Sequence, residues 1–208
     1  MDINKHIENI CRNASKSRLN SESYSTDQKN ELLKKICDNL SYNKNSILEQ
    51  NRKDLRLANE KGLAESFIDR MTLSNDRIDG MIKCVKAIVK LPDPLYKRTK
   101  KVKQANGIYL SQMRVPLGTI AMIYESRPNV TIDAAGLCVL AGNAVILRGG
   151  SDSQHSAALL GDIMTRGLEA AGLPGTAVQM VPTTDRTAVG ALLGAVPREQ
   201  RPEQLLDQ

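Results

Sequence analysis

The chain has no tryptophan, one phenylalanine and five tyrosines among its 208 residues. An interior with so few aromatics must be aliphatic, and a nucleic-acid surface that works by stacking bases is poorly supplied. The four cysteines, Cys11, Cys37, Cys84 and Cys138, form no CxxC pair, and neither histidine stands at ligand spacing from them. This excludes a zinc site and a small disulfide scaffold, so no metal is expected, and it suits buried free thiols in a reducing compartment. The amino terminus has no apolar run of the secretory kind. The most apolar stretch, Ala134 to Leu147, is too short to cross a bilayer and is broken by Gly142-Asn143. A cytoplasmic protein with no membrane partner is the expectation.

Lysine is absent from the second half: every one lies at or before Lys103. From Gln104 onward seven arginines stand against nine acidic residues, so the net charge of +6 belongs to the first half. There the lysines alternate with acids at helical spacing, the pattern of solvated helix faces rather than of a polyanion site. No nucleic-acid partner is expected.

What is present is periodicity. Ile3, Ile7, Ile10, Cys11 and Ala14 recur as one helix face would. Thr26 or Asp27 can cap a second helix carrying Leu32, Leu33, Ile36, Cys37 and Leu40. Ile47, Leu48, Leu55 and Ala58 mark a third over Ser46 to Ala58. Ser74 opens another through Ile78, Met81, Ile82, Val85, Ile88 and Val89, stopped by Leu91-Pro-Asp-Pro94. Residues 1–104 are thus expected to be helical. Beyond them Ile108 to Val115 is extended, in a hairpin with the residues before it. Thr119 to Tyr124 is a buried strand, and Pro128 opens a helix to about Ala141 with Gly142-Asn143 as its C-cap. Ala144 to Leu147 is the next strand. Asp152 or Ser153 caps a helix to Ala171, Thr176 to Val181 is a third strand, and Thr183 or Thr184 caps a helix to about Leu193. This alternation predicts an α/β protein with a doubly wound parallel sheet.

In such sheets ligands bind outside the carboxyl ends of the strands, which sets Glu125 to Asn129 and Arg148 to Asp152 side by side at one rim. Gly149-Gly150, between a strand and a helix, offers backbone N–H groups and a helix dipole to an anion, with Arg148 as a fixed charge; an ordinary glycine turn with an exposed arginine is the alternative. Asn129 can donate to a developing oxyanion or can cap its helix. Arg127 can hold a carboxylate or phosphate, or pair with Glu125 or Asp133. His6 and His155 are expected at the surface. Asp185-Arg186 can touch a ribose or form a surface pair, and Met113, Met122, Met164 and Met180 are expected to pack.

The run Val115-Pro-Leu-Gly-Thr-Ile-Ala-Met-Ile-Tyr-Glu-Ser-Arg-Pro-Asn-Val-Thr-Ile-Asp-Ala-Ala, followed by Ala-Gly-Asn-Ala-Val-Ile-Leu-Arg-Gly-Gly-Ser151, closely resembles the γ-glutamyl phosphate reductase (glutamate-5-semialdehyde dehydrogenase) branch of the aldehyde dehydrogenase superfamily. The resemblance continues more loosely over about 1–193. It implies an oxidoreductase of L-proline biosynthesis that reduces γ-glutamyl 5-phosphate to glutamate 5-semialdehyde and phosphate with NADPH. In that superfamily a Cys thiolate attacks the acyl carbon, phosphate leaves, and hydride from the nicotinamide reduces the thioester.

Carried onto this chain, the resemblance makes Asn129 the oxyanion-stabilising group and Arg127 a substrate residue of the reductase branch. It makes Tyr124, Glu125, Ser126 and Pro128 the strand end along the cofactor. Arg148 stands in place of a lysine at the adenosine ribose or its phosphate, with Gly149, Gly150 and Ser151 beside it. An arginine that reads the 2′-phosphate would favour NADPH over NADH. The implied organisation is a helical segment of the cofactor domain over 1–104, its Rossmann-like part over 105–194 and a polar tail over 195–208. The nucleophilic cysteine and the catalytic domain that carries it lie outside what the chain matches. None of the four cysteines takes the nucleophile's place, and Cys138 falls in an apolar helix unsuited to a thiolate. A truncated, non-catalytic fragment that binds at most nucleotide or a full-length relative is therefore the alternative. An exposed sheet edge is expected, and a homo-oligomer is left open.

Overall fold

The computed structural model describes residues 2–21 and 24–195. Residues 196–208, which include all but the first residue of the expected polar tail, lie outside them. The first half is helical, as expected, but only as far as Val89: α1 (Ile3–Ser21), α2 (Thr26–Tyr42), α3 (Lys44–Glu60), α4 (Glu65–Met71) and α5 (Asn75–Val89). The short α4 carries too few apolar positions to show a period. A capping box starts α2, with Ser25 rather than Thr26 or Asp27 as its cap: Ser25 Oγ accepts from Gln28 N, and Gln28 Oε1 accepts from Ser25 N. Ser74 caps α5.

A two-stranded hairpin, β1 (Val102–Lys103) with β2 (Tyr109–Leu110), turns at Gly107 and leads into the sheet. There β3 (Thr119–Ile123), β4 (Ala144–Arg148) and β5 (Val178–Met180) run parallel in the order β3-β4-β5, joined by α6 (Pro128–Leu140) and α7 (Gln154–Ala170); α8 (Thr187–Ala195) follows. Proline at the first position of α6 removes an N–H that no helical partner could accept. Gly142 ends α6 at φ +72°, which lets Asn143 N donate to Cys138 O at 2.8 Å.

Two corrections concern the strands. The outer edge of β3 is unpaired among the described residues, so Met122 and Ile123 are 37% and 46% exposed where a buried strand was expected. The third strand is shorter than Thr176 to Val181 because a 3-10 turn occupies Gly175–Ala177.

Central strand β4 is buried throughout, and its side chains alternate between two cores. Val145 and Leu147 join the larger one with α2, α5, α6 and α7; Ala144 and Ile146 join a smaller one made by α1 and α8, through Ile7, Ile10, Ala14, Ala188 and Leu192. Helix α1 lies with α8 on one face of the sheet, α2, α3 and α5 pack on α6 and α7 at the other, and the 104/105 boundary falls in the turn of the hairpin. Close approaches hold these layers. A Cβ on Gly161 would collide with Met180, and one on Gly167 would lie 2.9 Å from Ile36 Cγ1.

One buried polar cluster fixes α3 against α7. Asp54, 1% exposed, accepts from His155 N at 3.0 Å, Ser156 N at 2.8 Å and Ser156 Oγ at 2.6 Å. The neighbouring Asn51 donates to Met71 O and Ser156 Oγ and accepts from Leu73 N. A carboxylate at the first N–H groups of a helix satisfies donors that have no partner of their own and opposes the helix dipole. Neither Asp152 nor Ser153 makes a side-chain cap bond here; the cap comes from a residue about a hundred positions away.

Asp54→Ala should lower the unfolding free energy by about 2–4 kcal/mol, because it strands buried donors and removes a cap; urea denaturation showing a loss below about 0.5 kcal/mol would contradict this assignment. An ion pair of buried Lys29 with half-buried Asp93 sets a pH dependence. Lys29 donates to Asp93 at 3.1 Å and to Leu140 O at the end of α6. Burial acts to raise the Asp93 carboxyl, but bonds from Leu95 N, Lys29 and Thr26 outweigh it and hold the group below its ordinary value of 3.8. A carboxyl depressed in the fold adds stability above its unfolded value and loses it as pH falls through the folded one. Asp93→Asn should therefore flatten the decline in Tm below about pH 4; an unchanged acid limb would contradict it.

Candidate functional site

The carboxyl ends of β3 and β4 lie side by side as the sequence suggests: Ile123 pairs with Arg148, and Tyr124 N donates to Arg148 O at 3.0 Å. The loop that follows β4 needs its glycines for contact with the end of β3. A Cβ on Gly149 would lie 3.1 Å from the Tyr124 ring, and one on Gly150 would collide with Ser126 Oγ and lie 2.8 Å from Ser126 N. Tyr124 Oη is bonded to Thr131 Oγ1 at 2.6 Å; burial raises its hydroxyl against the opposing effects of that bond and of Arg148. Ser126 and Pro128 are buried, so Tyr124, Ser126 and Pro128 act as a packed shelf beneath the loop.

Arg148 is 7% exposed rather than a free charge at the rim. Its Nη1 donates to Gly149 O and its Nη2 to Thr184 O at 2.9 Å, so the guanidinium ties the loop after β4 to the loop after β5. Nε is buried without a partner. At the N-terminus of α7, Asp54 engages the N–H groups of His155 and Ser156, so an anion at the expected Gly149-Gly150 turn would not draw on those two. Beside these loops, between α7 and β5, lies a cavity of about 650 Å³ whose wall includes Gly149, Gly150, Ser151, Ala158, Thr183 and Thr184.

Asn129 and Arg127 belong to a different cavity, about 420 Å³, enclosed by α4, α5 and the start of α6. Arg127, not Asn129, is the N-cap residue of α6, so the alternative of a capping asparagine does not hold. The Asn129 side chain turns along the helix instead, and Nδ2 donates to Asp133 Oδ2 at 3.2 Å. One amide hydrogen is engaged and the second remains for another acceptor. Burial pushes the Asp133 carboxyl up, with the bond from Asn129 acting against it, and Oδ1 is buried without a partner. Glu125 is exposed and takes Arg70 Nη1 at 3.2 Å and Arg127 Nε at 3.8 Å on one oxygen. The common pocket expected for Asn129 and Arg148 is not seen: Asn129 lines the cavity at the start of α6, and Arg148 lines neither that cavity nor the one beside Gly149 and Gly150.

Other expectations shift with packing. Asp185 forms no ion pair with Arg186 among the described residues; its Oδ1 accepts from Thr187 N at 2.8 Å, so it, rather than Thr183 or Thr184, caps α8. His155 is exposed, whereas His6 is half-buried with Nε2 unpartnered. Met164 is fully buried and Met180 packs against the larger core, but Met113 and Met122 are exposed. Burial raises the Cys138 thiol to about 11, and Cys11 and Cys37 are buried with raised thiols. Cys84, expected with the others as a buried thiol, is instead exposed and lines the Asn129 cavity. Asp54, Arg70 and Arg77 were also missed, each one more charged residue of a mixed-sign helix until the fold places its partners; Asp133, weighed as a partner for Arg127, is bonded to Asn129 instead.

The chain is 50% identical over 168 residues to the gamma-glutamyl phosphate reductase of Brucella suis biovar 1, covering 81% of this chain and 40% of that protein. It is 46% identical over 192 residues to the one from Halothermothrix orenii, covering 92% and 46%. The crystal structure of gamma-glutamyl phosphate reductase from Thermotoga maritima superposes with a TM-score of 0.85 at 33% identity, over 90% of this chain and 45% of that one. The chain thus spans less than half the length of the relatives it matches, in their N-terminal part. Residues 3–197 match the aldehyde dehydrogenase family, and the chain belongs to that family.

Proposed function

We propose that this chain supplies the cofactor floor and the oxyanion donor for NADPH-dependent reduction of γ-glutamyl 5-phosphate to glutamate 5-semialdehyde and phosphate, a cytoplasmic step of L-proline biosynthesis. The observation that carries this reading is the 50% identity to a gamma-glutamyl phosphate reductase, joined to an Asn129 side chain that faces a cavity with an amide hydrogen to spare. Asn129 donates to the carbonyl oxygen of the acyl group as negative charge gathers there, and Asp133 fixes the plane of the amide in advance. Arg127 holds an anionic group of the substrate.

The cavity between α7 and β5 fits a dinucleotide: its size is in the range of small-molecule sites, hydroxyls of Ser151, Thr183 and Thr184 line it, and the unpartnered Nε of Arg148 stands at the base of its loop. When bound, NADPH supplies the hydride. Arg148 serves that site by holding Gly149 and Thr184 in place. No cysteine of this chain is assigned the nucleophile: three are buried or half-buried with raised thiols, and Cys84 has no base bonded to it among the described residues.

Three outcomes test the reading. Titration of the 208-residue chain should show NADPH binding, and Ala158→Glu, which adds a carboxylate to the exposed wall, should weaken it by about tenfold or more without lowering Tm; undiminished binding would remove the cofactor from this cavity. Arg148→Ala should weaken NADPH and NADH to a similar extent, because the arginine acts on the wall; a loss confined to NADPH would show that it reads the 2′-phosphate instead. The chain alone should give no phosphate-dependent reduction of NADP with glutamate 5-semialdehyde. Turnover by the chain would show that it contains its own nucleophile.

A further inference from the structure

No acidic residue stands between Asp93 and Glu125, whereas Lys97, Arg98, Lys100, Lys101, Lys103 and Arg114 all lie there. Each of these cations is exposed, and none forms an ion pair or a side-chain hydrogen bond among the described residues. The flanking acids are already occupied, Asp93 by Lys29 and Thr26 and Glu125 by Arg70 and Arg127. The alternation of signs that marks the helices as solvated faces does not extend to this segment.

The segment is the hairpin and its base, and its strands do not pair evenly. Tyr96 N donates to Arg114 O, Arg98 bridges Met113, Thr99 N donates to Gln112 O, and Val102 pairs with Leu110. The first strand therefore holds one extra residue beside Lys97 and another between Thr99 and Val102, and Tyr96 is held at φ +58°. Such bulges bend a strand and re-aim its side chains. Lys97 and Arg98, which would face opposite sides of a regular strand, instead border the same cavity of about 560 Å³ together with Arg114. This cavity shares no lining residue with the two described above. Three like charges around one concave space repel each other, and no carboxylate in its wall offsets them. Thr99 and Gln112 complete the wall; Thr99 Oγ1 accepts from Gln112 N at 2.9 Å, which leaves its hydroxyl hydrogen for another acceptor.

We infer that this cavity binds a compact oligophosphate, either a free inorganic chain or the oligophosphate of a nucleotide. Arg98 and Arg114 present guanidinium forks to adjacent phosphoryl groups, Lys97 adds a point charge and Thr99 a hydroxyl donor. Lys100, Lys101 and Lys103, outside the cavity, attract the anion from a distance. A concave space of this size suits a small molecule, whereas a nucleic acid would lie across all six cations alike. The inference is independent of the function proposed above.

The test is calorimetric titration of the 208-residue chain at physiological ionic strength with inorganic triphosphate, monophosphate, citrate and ATP. Triphosphate should bind with one-to-one stoichiometry, at least about tenfold more tightly than monophosphate or citrate. Arg98→Gln and Arg114→Gln should each weaken it by about fivefold or more, and the double change Lys100→Gln with Lys101→Gln by less than about twofold. All four positions are exposed, so Tm should stay as it was. Ala158→Glu, in the cavity assigned to NADPH, should leave triphosphate binding unaltered. ATP bound as tightly as triphosphate includes nucleotides among the ligands, and weaker ATP confines the site to the inorganic chain; the inference stands in both cases. Equal affinity of the unaltered chain for triphosphate and monophosphate would overturn it without recourse to any variant. So would equal losses from the arginine and lysine changes, which mark a diffuse field, or a loss caused by Ala158→Glu. A single-stranded oligonucleotide that outbinds triphosphate and depends on Lys100 and Lys101 as much as on the arginines would make the hairpin a nucleic-acid surface instead.

Discussion

The carboxylate of Asp54 at the first turn of α7 is the contact on which the arrangement of both cavities depends. It joins a helix of the first half to the helix that follows β4, and it does so inside the protein, where a carboxylate with three donors is stable and one with none is not. Asn51 extends the same cluster to the segment between α4 and α5 through Met71 O and Leu73 N. One set of hydrogen bonds therefore positions the start of α7, beside the first cavity, and the α4–α5 junction, which walls the second.

The larger lines of the fold were legible because they rest on period and punctuation. Ala144 to Leu147 is apolar throughout and bounded by Gly142-Asn143 and Gly149-Gly150, and it is the fully buried central strand. Helix ends with a glycine or proline stop fell within a residue or two of their predicted places. What period cannot show is which side of a strand lacks a neighbour, and so β3, apolar in sequence, is half exposed in the fold. Caps drawn from elsewhere in the chain are equally hidden. Asp54 and Asp185 do what local sequence assigned to Asp152, Ser153, Thr183 or Thr184.

The site was legible in its rim but not in its wiring. The expectation set Glu125 to Asn129 beside Arg148 to Asp152, and the strand ends are adjacent where Ile123 pairs with Arg148 and Tyr124 N donates to Arg148 O. The direction of each side chain beyond that point depends on who else is near. Arg148 finds two carbonyl oxygens and turns inward, where an exposed cation was expected, while Asn129 finds Asp133 one turn along its helix. Asp133 itself looked like any helix acid until burial removed water from one of its oxygens. Residues whose role is set by partners distant in sequence are the ones that a pattern of spacing leaves unread.

The proposed function divides labour across β4: loops beside β5 and α7 for a nucleotide, and the start of α6 with α4 and α5 for the substrate. Amide and side-chain NMR of the chain, titrated separately with NADPH and with L-glutamate γ-monohydroxamate, tests that division directly. The account predicts that NADPH shifts Gly149, Gly150, Ser151, Thr183 and Thr184, and that the hydroxamate shifts Asn129 and its Nδ2 hydrogens together with Arg127 and Asp133, with little overlap. Coincident footprints, or a hydroxamate footprint centred on the loops beside β5, would contradict it.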